Sequence, residues 1–211
     1  MKIYASFINN RIKILEKNLR KRGFGFFFAS TTEELHIHIK EIIEENSIVS
    51  WGGSVTLEET GIKELLRNGN YNILDREQAE SPEEIEEIYH KALSADFYLM
   101  STSAISLDGQ LVNIDGRGNR LAALIYGPRK VIIITGYNKI TSTLEEAMAR
   151  LKNTAAPLNA IRLHKKTPCT KETICRDCLG QDSICSHTVI TRRSVPEGRI
   201  HIVMLGEESG L

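Results

Sequence analysis

Apolar residues recur at helical spacing over residues 8–22, where Ile12, Leu15 and Leu19 share one face and Gly23 closes the segment. FGFFFAS (24–30) is apolar without alternation, which predicts a strand buried on both faces. From there helix and strand patterns take turns. Thr31 and Glu34 form a capping box ahead of a helix over 31–46. SIVSW (47–51) predicts a strand running into Gly52-Gly53-Ser54, and 56–68 predicts a helix. YNILD (71–75) predicts a strand. Ser81 at the N-cap, Pro82 at the first helical position and Glu84 two positions on mark the next helix start. FYLMSTS (97–103) predicts another strand, and Asp108-Gly109 turns a hairpin over 105–114. KVIIITG (130–136) is a fully buried strand. Thr143 and Glu146 cap a further helix, and 199–208 form a last strand. This alternation predicts an α/β fold: a mostly parallel sheet with helices on both faces, the hairpin being the exception.

Size and charge narrow the function classes. The chain has 211 residues, enough for one good-sized domain. Lys plus Arg equals Asp plus Glu, 27 each, so no global field recruits nucleic acid or acidic lipid. No stripe interleaves aromatic with basic residues, so nucleic acid is not an expected partner. No segment reaches the roughly 18–20 apolar residues of a membrane span. The chain reads as cytoplasmic, where cysteines serve as metal ligands more often than as disulfides. Residues 164–198 depart from the rest. They hold all four cysteines and two prolines with little apolar periodicity, and read as a Cys-rich metal-binding insertion before the last strand of a domain spanning 1–211.

Several strand ends carry polar chemistry. Gly52, Gly53 and Ser54 let a ligand approach the backbone, and Thr56 adds a hydroxyl. Glu59 completes a capping box with Thr56 or stands as a carboxylate at a pocket mouth. After the hairpin, Asp115, Gly116, Gly118, Asn119 and Arg120 form a Gly-rich loop entering an apolar helix. Asp115 is a base or hydroxyl acceptor there, and Arg120 a partner for carboxylate or phosphate. Asn138 and Lys139 follow the strand 130–136, and a buried Lys at such a rim serves as anion ligand, base or Schiff-base donor. Ser101, Thr102 and Ser103 end the neighbouring strand. As isolated turns and caps these features are commonplace. Converging on one sheet edge, they predict a pocket for a small anionic ligand, with Glu59, Asp115 and Lys139 as its catalytic candidates.

Cys169, Cys175, Cys178 and Cys185 are spaced C-x5-C-x2-C-x6-C. Four thiolates in one short segment suit tetrahedral zinc or an iron–sulfur cluster. Structural zinc often uses two C-x2-C knuckles, and one is present, which leans the reading slightly towards a [4Fe–4S] cluster. His187 is a substitute ligand or a plain loop histidine; a disulfide or free thiols is the bland alternative. His36 and His38, two apart on a predicted helix, face different ways and form no metal pair.

GGSVTLEETG, DGQLVNIDGRGNRLAALIYGPRKVIIITGYNKI, AAPLNAIRL and PCTKETICRDCLGQDSIC together resemble the lactate-utilisation (LUD) domain family, a domain of unknown function. The resemblance runs over essentially the whole chain. It implies a fold like the ribose-5-phosphate isomerase, glucosamine-6-phosphate deaminase and CoA-transferase group, with Gly52, Gly53 and Ser54 at the turn that holds phosphate or a CoA-linked acyl group. The catalytic Lys of the isomerases has no counterpart, since Ile114 and Asp115 stand near its place. The family implies a small-carboxylate or phosphate-binding accessory subunit of an iron–sulfur L-lactate oxidation system, partnered by iron–sulfur oxidoreductase subunits. A stand-alone sugar-phosphate or CoA-ester enzyme, or a non-catalytic module with structural zinc, are the alternatives. The fold group also implies a symmetric homodimer.

Overall fold

A computed structural model describes residues 2–211. Helix α1 (Lys2–Lys21) leads to β1 (Gly25–Ala29), and α2 (Thr32–Ile42) to β2 (Ile48–Trp51). Two short helices, α3 (Val55–Glu59) and α4 (Ile62–Arg67), precede β3 (Asn72–Leu74), α5 (Pro82–Ala92) and β4 (Phe97–Met100). The hairpin β5 (Ala104–Ser106) and β6 (Leu111–Asp115) feeds α6 (Asn119–Ile125), β7 (Lys130–Gly136) and β8 (Ile140–Thr141). Next come α7 (Leu144–Arg150), α8 (Ala156–Arg162), α9 (Cys169–Glu172), β9 (His187–Thr191) and β10 (Ile200–Leu205).

The main sheet has six strands in the order β1-β10-β7-β4-β2-β3, and every pairing in it is parallel. Its central strands alternate between two cores. Tyr98, Met100, Val131, Ile133, Ile202 and Met204 pack with Ile12, Leu15 and Leu19 of α1. Phe97, Leu99, Ile132, Ile134, Val203 and Leu205 pack on the other face with Leu35, Ile39, Leu57, Ile62 and Leu66. Burial on both faces is why these strands read as unbroken apolar runs rather than alternating ones.

The helix boundaries depart from expectation in informative places. Helix α1 begins at Lys2 rather than residue 8, with most of its first turns exposed. The helix expected over 56–68 is two, because Gly61 takes a left-handed φ of 66° between α3 and α4. The N-cap of α3 is Ser54, whose Oγ accepts from the Leu57 N–H at 3.3 Å, so the expected Thr56–Glu59 capping box is not formed. The boxes at Thr31, Ser81 and Thr143 are all present.

A second sheet, β8-β5-β6-β9, was not read from the sequence. The hairpin forms as expected, with Ala104 opposite Val112 and Gly109 at φ 90°. It then pairs with β8 on one side and β9 on the other. Part of the 164–198 segment is therefore ladder rather than loop. A π-helical turn, Leu151–Ala155, joins α7 to α8. Pro157 comes two residues after its end, and a proline, which has no N–H to donate, is a recognised cause of such a register change.

Candidate functional site: an anion pocket beside a cysteine loop

The carboxyl ends of β2, β4 and β7 open onto a cavity of about 550 Å³, bounded on its other sides by β6, α6, α8 and the Cys loop. Parallel sheets place ligands at this edge because the loops leaving adjacent strands diverge there. Ser54 and Thr56 arrive from β2, Ser101 from β4 and Lys139 from β7. Asp115, Gly116, Asn119 and Arg120 arrive from the loop after β6.

At its floor, Lys139 is only 2% exposed. Its Nζ lies 2.9 Å from Ser101 Oγ and 3.1 Å from Thr56 Oγ1, and the Thr56 hydroxyl donates to Ser101 Oγ at 3.2 Å. Among the described residues no carboxylate forms an ion pair with it. Burial pushes the Lys139 amine down to about 7, with Arg150 and Arg120 adding to the effect and Glu59 opposing it. An amine so placed is divided between charged and neutral forms at neutral pH.

The walls are cationic. Arg76, Arg117, Arg120, Arg162 and Lys165 line the cavity with Lys139, against one acidic side chain, Asp115. Arg120 donates from Nη2 to the Ile114 carbonyl at 2.6 Å, and its Nε stands 3.8 Å from Asp115 Oδ2. That Oδ2 is buried and makes no hydrogen bond, so a hydroxyl donor entering the pocket would satisfy it. Arg117 pairs with Glu86, and Lys165 reaches Asp182 at 3.8 Å. Arg76 and Arg162 have no carboxylate partner among the described residues. Arg76 donates to the Tyr89 hydroxyl at 3.1 Å, and Arg162 to Asn159 Oδ1 at 2.8 Å. Both reach over Gly53, where a Cβ would collide with Arg76 Nη2 and lie 3.7 Å from Arg162 Nη2. Glycine at 53 thus leaves room for two guanidinium groups.

Of the sequence candidates, Gly53, Ser54, Thr56, Ser103, Asp115, Gly116, Asn119, Arg120 and Lys139 come together on this cavity. Four others do not line it. Glu59 accepts from Ser209 Oγ at 3.1 Å and Gly210 N at 2.7 Å, and Asn138 holds the same tail through Ser209 N and Gly210 O. Both pin residues 209–210, so neither is a pocket carboxylate or amide. Gly52 gives space to the Arg120 side chain, since a Cβ there would meet Arg120 Cδ at 2.9 Å. Gly118 starts α6 at φ 88°. Sequence reasoning missed Arg76 and Arg162. Arg76 directly follows the expected strand 71–75, a rim position that could have flagged it. Arg162 is carried in by the helix after the π turn, which no periodicity announces.

All four cysteines are half-buried and free of disulfides. Burial pushes the Cys185 thiol up to about 11, and the Cys175, Cys169 and Cys178 sulfurs add to it, so the four share one neighbourhood. The donor set suits a soft metal. The arrangement is not a closed one: no group of three or more His, Cys, Asp or Glu among the described residues is positioned to ligate one ion. The loop carrying these thiols also walls the pocket through Gln181, Ser183 and Ile184. Gly116 permits this approach, since a Cβ there would stand 3.3 Å from Ile184 Cα. His187 packs beside Gly118 at the start of β9.

A parallel α/β sheet with a cationic pocket at its carboxyl edge has the arrangement in which α/β proteins place small ligands. The family model of the LUD domain matches residues 12–205, and the chain belongs to that family. Among solved structures, a DUF162 family protein from Deinococcus radiodurans is similar over 94% of this chain and 97% of its own, at 14% identity and a TM-score of 0.55. Ribose 5-phosphate isomerase from Plasmodium falciparum aligns over 53% of this chain and 52% of its own, at 17% identity and a TM-score of 0.33. The delta chain of eIF2B from Chaetomium thermophilum aligns over 67% and 53%, at 18% identity and a TM-score of 0.34. No curated protein sequence matches the chain. No helix among the described residues is long and apolar enough to cross a membrane.

Proposed function

We propose that this LUD-domain protein binds a small anionic ligand, a carboxylate or phosphate compound, in the cavity between Gly53, Arg120 and Lys139, and serves as an accessory subunit of an iron–sulfur L-lactate oxidation system. The observation that carries the ligand class is the imbalance of the lining: six cationic side chains against Asp115 alone, with Arg76 and Arg162 lacking any carboxylate partner among the described residues. Guanidinium pairs left without an acidic partner in a concave site are natural carboxylate and phosphate ligands. Family membership supports the lactate-utilisation context.

Cys169, Cys175, Cys178 and Cys185 would hold the metal, a [4Fe–4S] cluster or zinc. A cluster supplies one-electron transfer beside the pocket, whereas zinc supplies a fixed loop. Iron–sulfur oxidoreductase subunits and a second copy of the chain are the proposed protein partners. The buried, carboxylate-free Lys139 favours a second reading, a stand-alone enzyme acting on a sugar-phosphate or CoA-ester ligand.

Anaerobic purification followed by metal analysis and a visible spectrum tests the metal. Roughly four iron per chain supports the redox subunit, and about one zinc removes it. Calorimetric titration with L-lactate, pyruvate, succinate and inorganic phosphate tests the pocket. An absence of binding by all four overturns the anion assignment.

A further inference from the structure

We propose that Ser101 is a covalent nucleophile with Lys139 as its base, and that the pocket transfers acyl groups from esters or thioesters carrying an anionic group. The substrate class rests on the anion-pocket reading above; the nucleophile rests on separate geometry. Ser101, Thr56 and Lys139 come from three different strand ends, and each pair among them is within hydrogen-bond distance: 2.9, 3.1 and 3.2 Å. All three are buried, yet all line the cavity.

Lys139 Nζ donates to both Ser101 Oγ and Thr56 Oγ1, and the Thr56 hydroxyl donates to Ser101 Oγ, so the lysine and the threonine together fix the position of the serine oxygen. An ammonium has no lone pair to receive a proton; a neutral amine does. Once the buried Lys139 loses a proton, its lone pair is within hydrogen-bond reach of the Ser101 hydroxyl and can accept the proton from it. Nucleophile, base and a third group orienting both, all within hydrogen-bond reach, is the arrangement that activates a serine. Glu59, the carboxylate whose charge bears on Lys139, is occupied by Ser209 and Gly210 and does not neutralise the lysine through an ion pair.

In the reaction the Lys139 amine removes the Ser101 hydroxyl proton as Oγ bonds to the acyl carbon. The bond from that carbon to the leaving oxygen or sulfur breaks, and the departing alcohol or thiol takes the proton from Lys139. Water, deprotonated by the same amine, then attacks the acyl-serine; the bond from the acyl carbon to Oγ breaks, and Oγ takes the proton back from Lys139, releasing a carboxylic acid and restoring both Ser101 and the neutral amine. No oxidant or reductant enters.

The test uses mono-p-nitrophenyl succinate with the full-length chain, followed by peptide mass spectrometry. The expected result is a burst of p-nitrophenolate equal to the protein present and a succinyl adduct on the Ser101 peptide, with a burst rate that rises with pH through about 7. Ser101→Ala removes burst and adduct. Lys139→Met slows the burst by at least ~100-fold. Ser101→Cys, which keeps a nucleophile in place, yields an adduct released by hydroxylamine. Succinate binding by calorimetry is measured on the same samples. Binding without any adduct, or an adduct on Lys139 or elsewhere, overturns the nucleophile while leaving the pocket standing. Loss of succinate binding by the wild-type chain overturns the anion reading and the substrate class with it.

Discussion

Arg76 and Arg162 owe their importance to what they lack. An exposed arginine on a protein surface is unremarkable, but two guanidinium groups over one glycine, each bonded only to neutral oxygens, leave charge for a ligand to satisfy. Arg76→Ala and Arg162→Ala should each weaken binding of phosphate or succinate about tenfold or more, since hydrogen bonds to charged groups are worth roughly 1.5–3 kcal/mol. Calorimetry reads the loss, and melting temperature should hardly move, because neither side chain belongs to the core. Equal affinity in both variants would remove the guanidinium pair from the site. A different residue pair governs acid stability. His201 Nε2 lies 3.1 Å from His38 Nε2, His38 stacks on Phe27, and Arg20 and Lys130 add positive charge nearby. Burial first, then His38 and those cations, push His201 down to about 4. Below its ordinary value of 6.5 the unfolded chain takes up a proton that the native chain refuses. Stability from this site is thus complete above pH 6.5 and falls as pH drops towards 4, by roughly 2 kcal/mol after allowance for partial exposure. Melts of wild type and His201→Gln across that range check it: the variant should show the shallower slope. His36 and His38 do face apart, as their spacing demands, and His36 instead meets the Thr60 carbonyl at 2.6 Å.

At the scale of elements, local chemistry was legible wherever it acts within a few residues. The boxes at Thr31, Ser81 and Thr143 formed because cap and partner lie in one turn, and the Asp108-Gly109 hairpin formed for the same reason. The second sheet was not legible. β8 is two residues long, and β9 carries no strong alternation, so their strand character comes from partners far away in sequence, β5 and β6. The α3–α4 break shows a third case, in which one residue decides. Gly61 holds a left-handed φ of 66° that a side chain resists, so Gly61→Ala should cost about 1 kcal/mol even though a Cβ would meet nothing closer than His36 at 3.8 Å. Chemical denaturation with an unchanged m-value would show that cost cleanly. No loss at all would mean the two helices merge without strain.

Across the whole molecule, the sequence placed most of the pocket but not its wall. Strand ends could be assigned to one edge because a parallel sheet has only one carboxyl side. That the cysteine loop returns to the same edge is a tertiary fact, set by Gly116 leaving space for Ile184 and by Asp182 accepting from the Lys166 N–H at 2.9 Å. None of residues 168–185 belongs to any of the three apolar clusters. The loop should therefore be separable from the fold but not from the pocket. Replacing 168–185 with a Gly-Ser linker of equal length should preserve the cooperative melting transition, because β9 starts at His187 and keeps its ladder with β6. The same replacement should weaken succinate binding, because Gln181, Ser183 and Ile184 leave the pocket wall, and it removes the four thiols proposed as metal ligands. Cys175→Ser divides the two effects. It keeps the loop's chain but removes one of the four proposed metal ligands, so an affinity that falls only in the linker variant assigns the wall to the loop's side chains. An affinity that falls in both ties pocket closure to the thiol set itself, as the proposed metal site requires.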